Sequence, residues 1–400
     1  LKQRLYQDDS YRTDFEAAVV SISSRGKEYA IELDRTLFYP DSGNQPSDTG
    51  EIAGLRIDEV IEEAGRILHI AAVPPPFAAG HRVRGSIDWR RRLINMQQHT
   101  GQHVLSQAFL QVLDAATVSS RWGMERSTID IGVPDLTWDD VKATEDLANG
   151  IVYENRPVVI FQAGKDEIGG LRVKMPIDRD VIRVVEVKDF DRSPCGGTHT
   201  SATGEIGPIK ILRWERVRDT VRVDFVCGIL AMDDYFWKSR FVVDLAQDLT
   251  TKDRSLPVRI PEMLEERKQM AKEVAALKHD LASYRAGELL AGAHRISGAS
   301  VVSAYLADGG AQEIRDIAGA LTETPRMVAL LASGTDRLHF VFARSADLDV
   351  DMRIAVEAAC AVVDGKGGGR PEVCQGGGRN AERAPEALAE AEKAVTKMLA

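Results

Sequence analysis

The sequence predicts an α+β protein of two to three domains. Three observations carry that expectation. Residues 14–90 alternate apolar and polar side chains between Gly, Pro and Asp turns, the pattern of many short strands. A helical period begins near Arg91 and carries two histidines, and a longer helical stretch follows at 235–291. Strand and helix patterns alternate again from residue 292 to the end. With 400 residues, 44% of them apolar, the chain can bury real cores without a staple.

Taken in order, FEAAVVSISS, EYAIELD, IAGLRIDEVIEE, ILHIAA and HRVRGSID read as strands of a small barrel-like or curled sheet within 1–90. The segment VPPPFAAG, 73–80, is a rigid loop at its rim. A second α+β body, 91–234, opens with a helix from about Arg91 to Leu113. It continues with the strand-like SRWGMERSTIDIG, a helix at roughly 137–150, and the strand RPVVIFQ. After a loop, IRVVEVKDF delivers the chain to Cys195, and EIGPIKILRWERVRDTVRVDFVCG closes the body as an antiparallel pair. Within the helical arm at 235–291, Met263, Met270, Val274, Leu277, Leu281 and Tyr284 keep a three–four spacing. Arg267 fills the slot between the two methionines, which speaks against a long coiled coil and for packing within one chain or on a second subunit. The last body, 292–400, is α/β. It holds two or three strands in SVVSAYLADGG and PRMVALLASGTDRLHFVFARS, and a helix at AQEIRDIAGAL. Helices at 349–363 and 383–399 follow, with GKGGGRPEVCQGGG as a loop between them.

Charge and cysteine usage narrow the class. With 51 basic and 61 acidic side chains the net charge is −10, which argues against a protein that coats nucleic acid non-specifically. A nucleic-acid substrate stays open, because Arg90–Arg92 form one local basic cluster, and Lys366, Arg370 and Arg379 flank glycine runs. Each cluster reads equally as a solvated surface. Four scattered cysteines are no disulfide framework, so a reducing, cytoplasmic setting is expected. Cys227, Cys360 and Cys374 read as buried small hydrophobes. Apolar runs fall short of the ~20 residues of a membrane helix, and LKQRLYQDDSY shows no apolar signal-peptide core.

Four residues spell one metal site. His99 and His103 are spaced i,i+4, which puts both imidazoles on one helix face. Cys195 and His199 share that spacing, but Gly196 and Gly197 between them point to a loop. A thiolate with three imidazoles suits Zn²⁺. Four protein ligands are the structural pattern, whereas three with an open position are the catalytic one, and the residues alone leave both readings open. The loop FYPDSGNQPSDTG, 38–50, is either a surface turn or a pocket wall offering Gln45 and backbone donors. The glycine runs at 367–369 and 376–378 lack the Walker ending, so nucleotide binding is poorly supported.

The segments RRLINMQQHTGQHVLSQAF, CGGTH, TGEIG and LDRTLFYPDSGNQPSDTG together resemble the editing domain of alanyl-tRNA synthetase and its free-standing AlaX-type relatives. Residues 366–378 resemble the glycine-rich signature of the DHHA1 domain, which follows the editing domain in the long form. The resemblance implies one Zn²⁺ per chain on His99, His103, Cys195 and His199. It implies ester hydrolysis of alanine tRNA mischarged with serine or glycine. It also places Thr36 and Gln45 on the pocket side, with Thr36 contacting the serine hydroxyl. The DHHA1-like part would engage tRNA, with Lys366, Arg370 and Arg379 on its backbone, and the arm would assist a homodimer. The family's loop reads close to YPEGGGQP. Here Asp41, Ser42 and Asn44 depart from it, and Asn44 is expected to hold a glycine-like turn. The chain starts at the barrel-like segment, so hydrolysis rather than aminoacylation is expected, unless it is a fragment of a synthetase. Two alternatives remain: a tRNA-binding or regulatory relative whose editing centre has decayed, and a zinc hydrolase of small esters.

Overall fold

Alternation over residues 14–87 becomes seven strands: β1 (Asp14–Arg25), β2 (Glu28–Leu33), β3 (Gly50–Ile52), β4 (Leu55–Ile57), β5 (Glu59–Glu63), β6 (Arg66–Ala71) and β7 (Arg82–Ile87). They form one antiparallel sheet in the order β4-β3-β7-β1-β2-β6-β5. Its two edge strands, β4 and β5, are neighbours in the chain, so the sheet curls back on itself into a nearly closed barrel. Inward-facing Phe15, Ala17, Val19, Ile31, Leu33, Val60 and Val83 fill it. The curled sheet expected within 1–90 is present. In this computed structural model residues 3–42, 44–164 and 181–400 are described. Gly43 of the 38–50 loop, and the loop expected before IRVVEVKDF, lie outside them.

Helix α1 (Trp89–Leu113) follows directly. Asp88 caps it by accepting the Arg91 N–H at 3.1 Å, and Asp114 ends it in the left-handed conformation at φ 53°. Val104, Leu105, Ala108 and Phe109 of α1 pack on a four-stranded antiparallel sheet. Its strands are β8 (Thr117–Arg121), β9 (Ser127–Ile131), β13 (Ile209–Val217) and β14 (Thr220–Cys227), in the order β8-β9-β14-β13. Helix α2 (Trp138–Tyr153) adds Val141, Ala148, Ile151 and Val152 to the same core, and Thr137 with Asp140 closes a capping box at its start. A separate three-stranded sheet, β10 (Val158–Gly164), β11 (Val181–Val187) and β12 (Asp191–Pro194), leads the chain to Cys195.

The arm expected at 235–291 is two helices. Helix α3 (Ile229–Asp248) stops before a break at 249–255, and α4 (Leu256–Leu290) begins with Pro257 in its first turn, where the missing N–H is harmless. The chain divides into two compact units at this break, Leu1–Asp248 and Leu249–Ala400.

The second unit is a six-stranded sheet with helices on both faces. Strands β15 (His294–Ile296), β16 (Ala299–Leu306), β17 (Met327–Ser333), β18 (Leu338–Arg344), β19 (Lys366–Arg370) and β20 (Val373–Gly378) lie in the order β15-β16-β17-β18-β20-β19. Strand β17 is buried throughout. Val328, Leu330 and Ala332 face helices α6 (Met352–Val362) and α7 (Ala384–Leu399), while Ala329 and Leu331 face α5 (Ala311–Thr322). The segment read as the loop GKGGGRPEVCQGGG is instead the hairpin β19–β20 at the sheet edge. Its glycines permit close packing. A Cβ on Gly376 would sit 2.6 Å from the Cys360 sulfur, and one on Gly377 2.2 Å from the Leu338 oxygen. No described helix is long and apolar enough to cross a membrane.

Candidate metal centre

Helix α1 is stitched to its surroundings by polar side chains that leave its inner face no freedom to rotate. Of the Arg90–Arg92 cluster, Arg92 and Arg91 are such stitches, while Arg90 stays on the surface. Arg92 is fully buried; it donates to the Asp48 carboxylate at 2.5 Å and to the backbone oxygens of Leu37 and Ser10 at 2.6 and 2.8 Å. Arg91 holds the Ser47 oxygen at 2.7 Å, and Arg90 lies 3.4 Å from Asp233. Asp48 also accepts the Tyr39 N–H at 2.7 Å, so the 37–48 loop is pinned to the start of the helix. Nearly two turns on from Arg92, Gln98 pairs with both backbone groups of Cys227. Gly101 lets that strand approach, since a Cβ there would meet the Cys227 sulfur at 2.3 Å.

This seating aims two imidazoles at the 195–199 loop. The donor atoms of His99, His103, Cys195 and His199 all lie within 4.8 Å of one another. The Cys195 Sγ is 3.1 Å from His99 Nε2 and 3.2 Å from His199 Nε2. Each ring is held from behind at Nδ1. His99 Nδ1 is 2.9 Å from Gln45 Oε1, His103 Nδ1 is 3.0 Å from Asp191 Oδ2, and His199 Nδ1 is 3.1 Å from Thr100 Oγ1. An Nδ1–H donating to each oxygen leaves the Nε2 lone pair facing the sulfur, the tautomer a metal requires. The donor set therefore fits a metal ion on chemistry as well as distance.

The electrostatics favour ligation at His99, His199 and Cys195, whereas His103 would have to give up a proton to a metal. Burial holds His99 below its ordinary value and takes His199 down to about 3, so both stay neutral and able to ligate. Burial also works to lower His103, but Asp191 and the Cys195 sulfur outweigh it and raise that ring to about 9. For Cys195, burial opposes ionisation, yet the imidazoles of His99 and His199 hold the thiol well below its usual range. Gly197 has a steric reason to be glycine: a Cβ would lie 2.2 Å from His99 Cε1 and 2.8 Å from Gln45 Oε1.

Gln45 thus joins the cluster, through His99 and through its Nε2–H to Thr198 Oγ1 at 3.0 Å. Asn44 adopts the expected left-handed turn at φ 70°. Thr36 is engaged elsewhere. His69 donates from Nδ1 to the Ile31 oxygen, so its Nε2 accepts the Thr36 hydroxyl at 2.8 Å. Thr36 Oγ1 in turn accepts the Phe38 N–H at 3.0 Å. A cleft of about 460 Å³ opens beside His199, with Asp8, Asp9, Tyr11, Arg183 and Thr200 in its wall. Arg183 is a participant that motif reading missed. Its Nη1 donates to the Cys195 and Gly197 oxygens at 2.8 and 2.9 Å and so fixes the ligand loop. The only trace in sequence is one cation inside the apolar strand VIRVVEV.

A buried thiolate–imidazole cluster beside a cleft defines a candidate metal centre, and the chain's similarities lie with proteins of aminoacyl-tRNA chemistry. Residues 182–222 match the second additional domain of threonyl and alanyl tRNA synthetases, and residues 298–397 match the DHHA1 domain. Over 94% of its length the chain is 28% identical to the alanyl-tRNA editing protein AlaX-L of Pyrococcus horikoshii, covering 94% of that protein. It is 32% identical over 96% of its length to the alanine–tRNA ligase of Pyrococcus furiosus, and 33% identical over 99% to that of Natronomonas pharaonis. It spans less than half of these ligases, 43% and 44%. This chain thus carries a match to the synthetase second additional domain followed by a DHHA1 domain, and is similar along nearly its whole length to the long alanyl-tRNA editing protein.

Proposed function

We propose that this protein hydrolyses the ester between a wrong amino acid, serine or glycine, and the 3′ end of the tRNA for alanine. The observation that carries the reading is the convergence of three anchored imidazoles and one thiolate beside a cleft wide enough for a nucleoside ester. A zinc ion on His99, His103, Cys195 and His199 would supply Lewis-acid polarisation or hold the substrate end. The chain's own residues do the rest. Gln45, Asp191 and Thr100 fix the three rings, and Arg183 fixes the loop bearing Cys195 and His199. Thr36 has committed its proton to His69, so it offers a substrate hydroxyl an acceptor lone pair only. Serine can donate to it and alanine cannot, which is the asymmetry an editing pocket needs. On this reading 1–90 and 91–234 make the editing portion, 235–291 the arm, and 292–400 the part that grips tRNA, in a cytoplasmic setting.

The test is release of serine and of alanine from the same tRNA, with metal content measured on protein purified without added zinc. Expected are about one zinc per chain, serine released faster than alanine, and loss of that preference in Thr36→Val. Equal release of both amino acids by the unaltered protein would remove the pocket assignment. Tight tRNA binding with no release would favour a decayed, regulatory relative. A second reading rests on coverage: the same stretch forms part of much longer ligases, so this activity would equally serve as the editing half of one.

A further inference from the structure

Arg183 carries a charge that no carboxylate answers. Among the described residues it makes no ion pair, whereas Arg92, the other arginine drawn in beside the centre, has Asp48. Its Nη1 is occupied by the Cys195 and Gly197 oxygens, and its Nε is sealed without a hydrogen-bond partner. Nη2 also lacks a partner among the described residues, but it is not sealed. The side chain is only partly buried and lines the cleft of about 460 Å³ beside His199. The residue is held in place: it sits in β11, and its backbone oxygen accepts the Cys195 N–H at 3.1 Å. A half-buried guanidinium fixed without a counter-charge is unfavourable by itself. It is the arrangement expected of a site whose anion arrives with the ligand.

The rest of the wall says which anion. Tyr11 offers an aromatic ring, 36% exposed, and its hydroxyl is pinned by donating to Glu205 and accepting the Ser201 N–H, both at 2.6 Å. Phe161 and Ile160 add apolar surface. Exposed rings of this kind are where a base stacks. Asp8 and Asp9 place negative charge in the same wall. A simple anion gains little from a cleft that carries both signs. An aminoacyl nucleotide carries both signs itself, an ammonium on the amino acid and a phosphate across the ribose from the ester. Resting on the deacylation reading above, we infer that Arg183 binds the phosphate joining the terminal adenosine to the rest of the tRNA, donating from Nη2. Contact with that phosphate sets how deep the terminal nucleoside enters, and so where its ester stands relative to His199 and the cluster. It carries no base information, because phosphate contacts position and do not read sequence. Arg183 is thus a substrate-binding residue as well as the clamp on the ligand loop.

The probes are serine joined through a non-hydrolysable amide to the 3′ carbon of adenosine, with and without a 5′-phosphate. Their dissociation constants are measured by calorimetry on the full-length protein, unaltered and as Arg183→Gln and Arg183→Lys, each purified with its native metal. Serine release from charged alanine tRNA is assayed alongside. Expected for the unaltered protein is binding of the phosphorylated probe at least about tenfold tighter than of the other. Arg183→Gln brings that ratio within about twofold, and Arg183→Lys, which keeps a point charge, restores it to roughly threefold or more. A ratio taken within each variant cancels any disturbance of the Cys195 loop, which weakens both probes alike. No preference for the phosphorylated probe in an unaltered protein that releases serine overturns the inference alone. So does a preference that persists in Arg183→Gln. An unaltered protein that releases no serine yet shows the Arg183-dependent preference overturns only the hydrolase reading. One that releases no serine and binds neither probe overturns both.

Discussion

His69 shows how much a single buried side chain constrains. It is fully enclosed, neutral, and bonded to Ile31 and Thr36. Burial takes its pKa from an ordinary 6.5 down to about 4. An unfolded chain therefore protonates this ring first as pH falls. Its contribution to stability is complete above about pH 6.5 and is lost toward pH 4, on the order of 3 kcal/mol over that window. Urea titrations across this range should show a shallower acid limb in His69→Gln, and an identical limb would contradict the assignment. His69 escaped sequence reading because ILHIAA looks like any strand. The four clustered donors did not escape, since their i,i+4 spacing survives in linear form. Arg183 acts on backbone oxygens 12 and 14 positions on, across a strand pair, and no local pattern encodes that.

At the scale of elements, strands and helices were legible wherever apolar period and turn residues agreed, as in the seven curled strands and α1. Reading failed where glycine has two meanings. The run at 365–378 resembles a loop in composition, yet its glycines allow a hairpin to lie flat on α6 at Val356 and Cys360. Arg92 failed likewise, because a cation looks solvated until a buried carboxylate is found for it, whereas Arg90 is the solvated surface it resembled. The Arg92–Asp48 pair, with both side chains fully buried, ties α1 to the 37–48 loop. Removing one partner strands the other charge. Arg92→Ala should destabilise the protein by about 3–5 kcal/mol, read as a lower urea midpoint with an unchanged slope. A loss below about 1 kcal/mol, the worth of a surface pair, would show that the clamp is not structural.

For the molecule as a whole, the two units raise the question of tRNA affinity. Lys366, Arg337 and Arg379 border a cavity of about 980 Å³ on the second unit, and Arg370 is exposed on the same hairpin. If they meet phosphates, Lys366→Ala should weaken binding of all tRNAs alike and lower the salt slope by about one. An unchanged slope would leave the hairpin a purely structural edge. Met270, Val274, Leu277, Leu281 and Tyr284 of α4, which the three–four spacing left open to packing within one chain or on a second subunit, are exposed.

The donors of the cluster come from two segments, and His99 and Cys195 stand 96 positions apart. A ribosome making this chain therefore releases two imidazoles long before the thiolate that joins them. Until residue 195 has emerged, the growing chain presents only a pair of ring nitrogens, which form half of the donor set. Order of synthesis thus sets when the centre can form, because a nascent or prematurely ended chain can display the barrel and helix yet carries only half of the donor set.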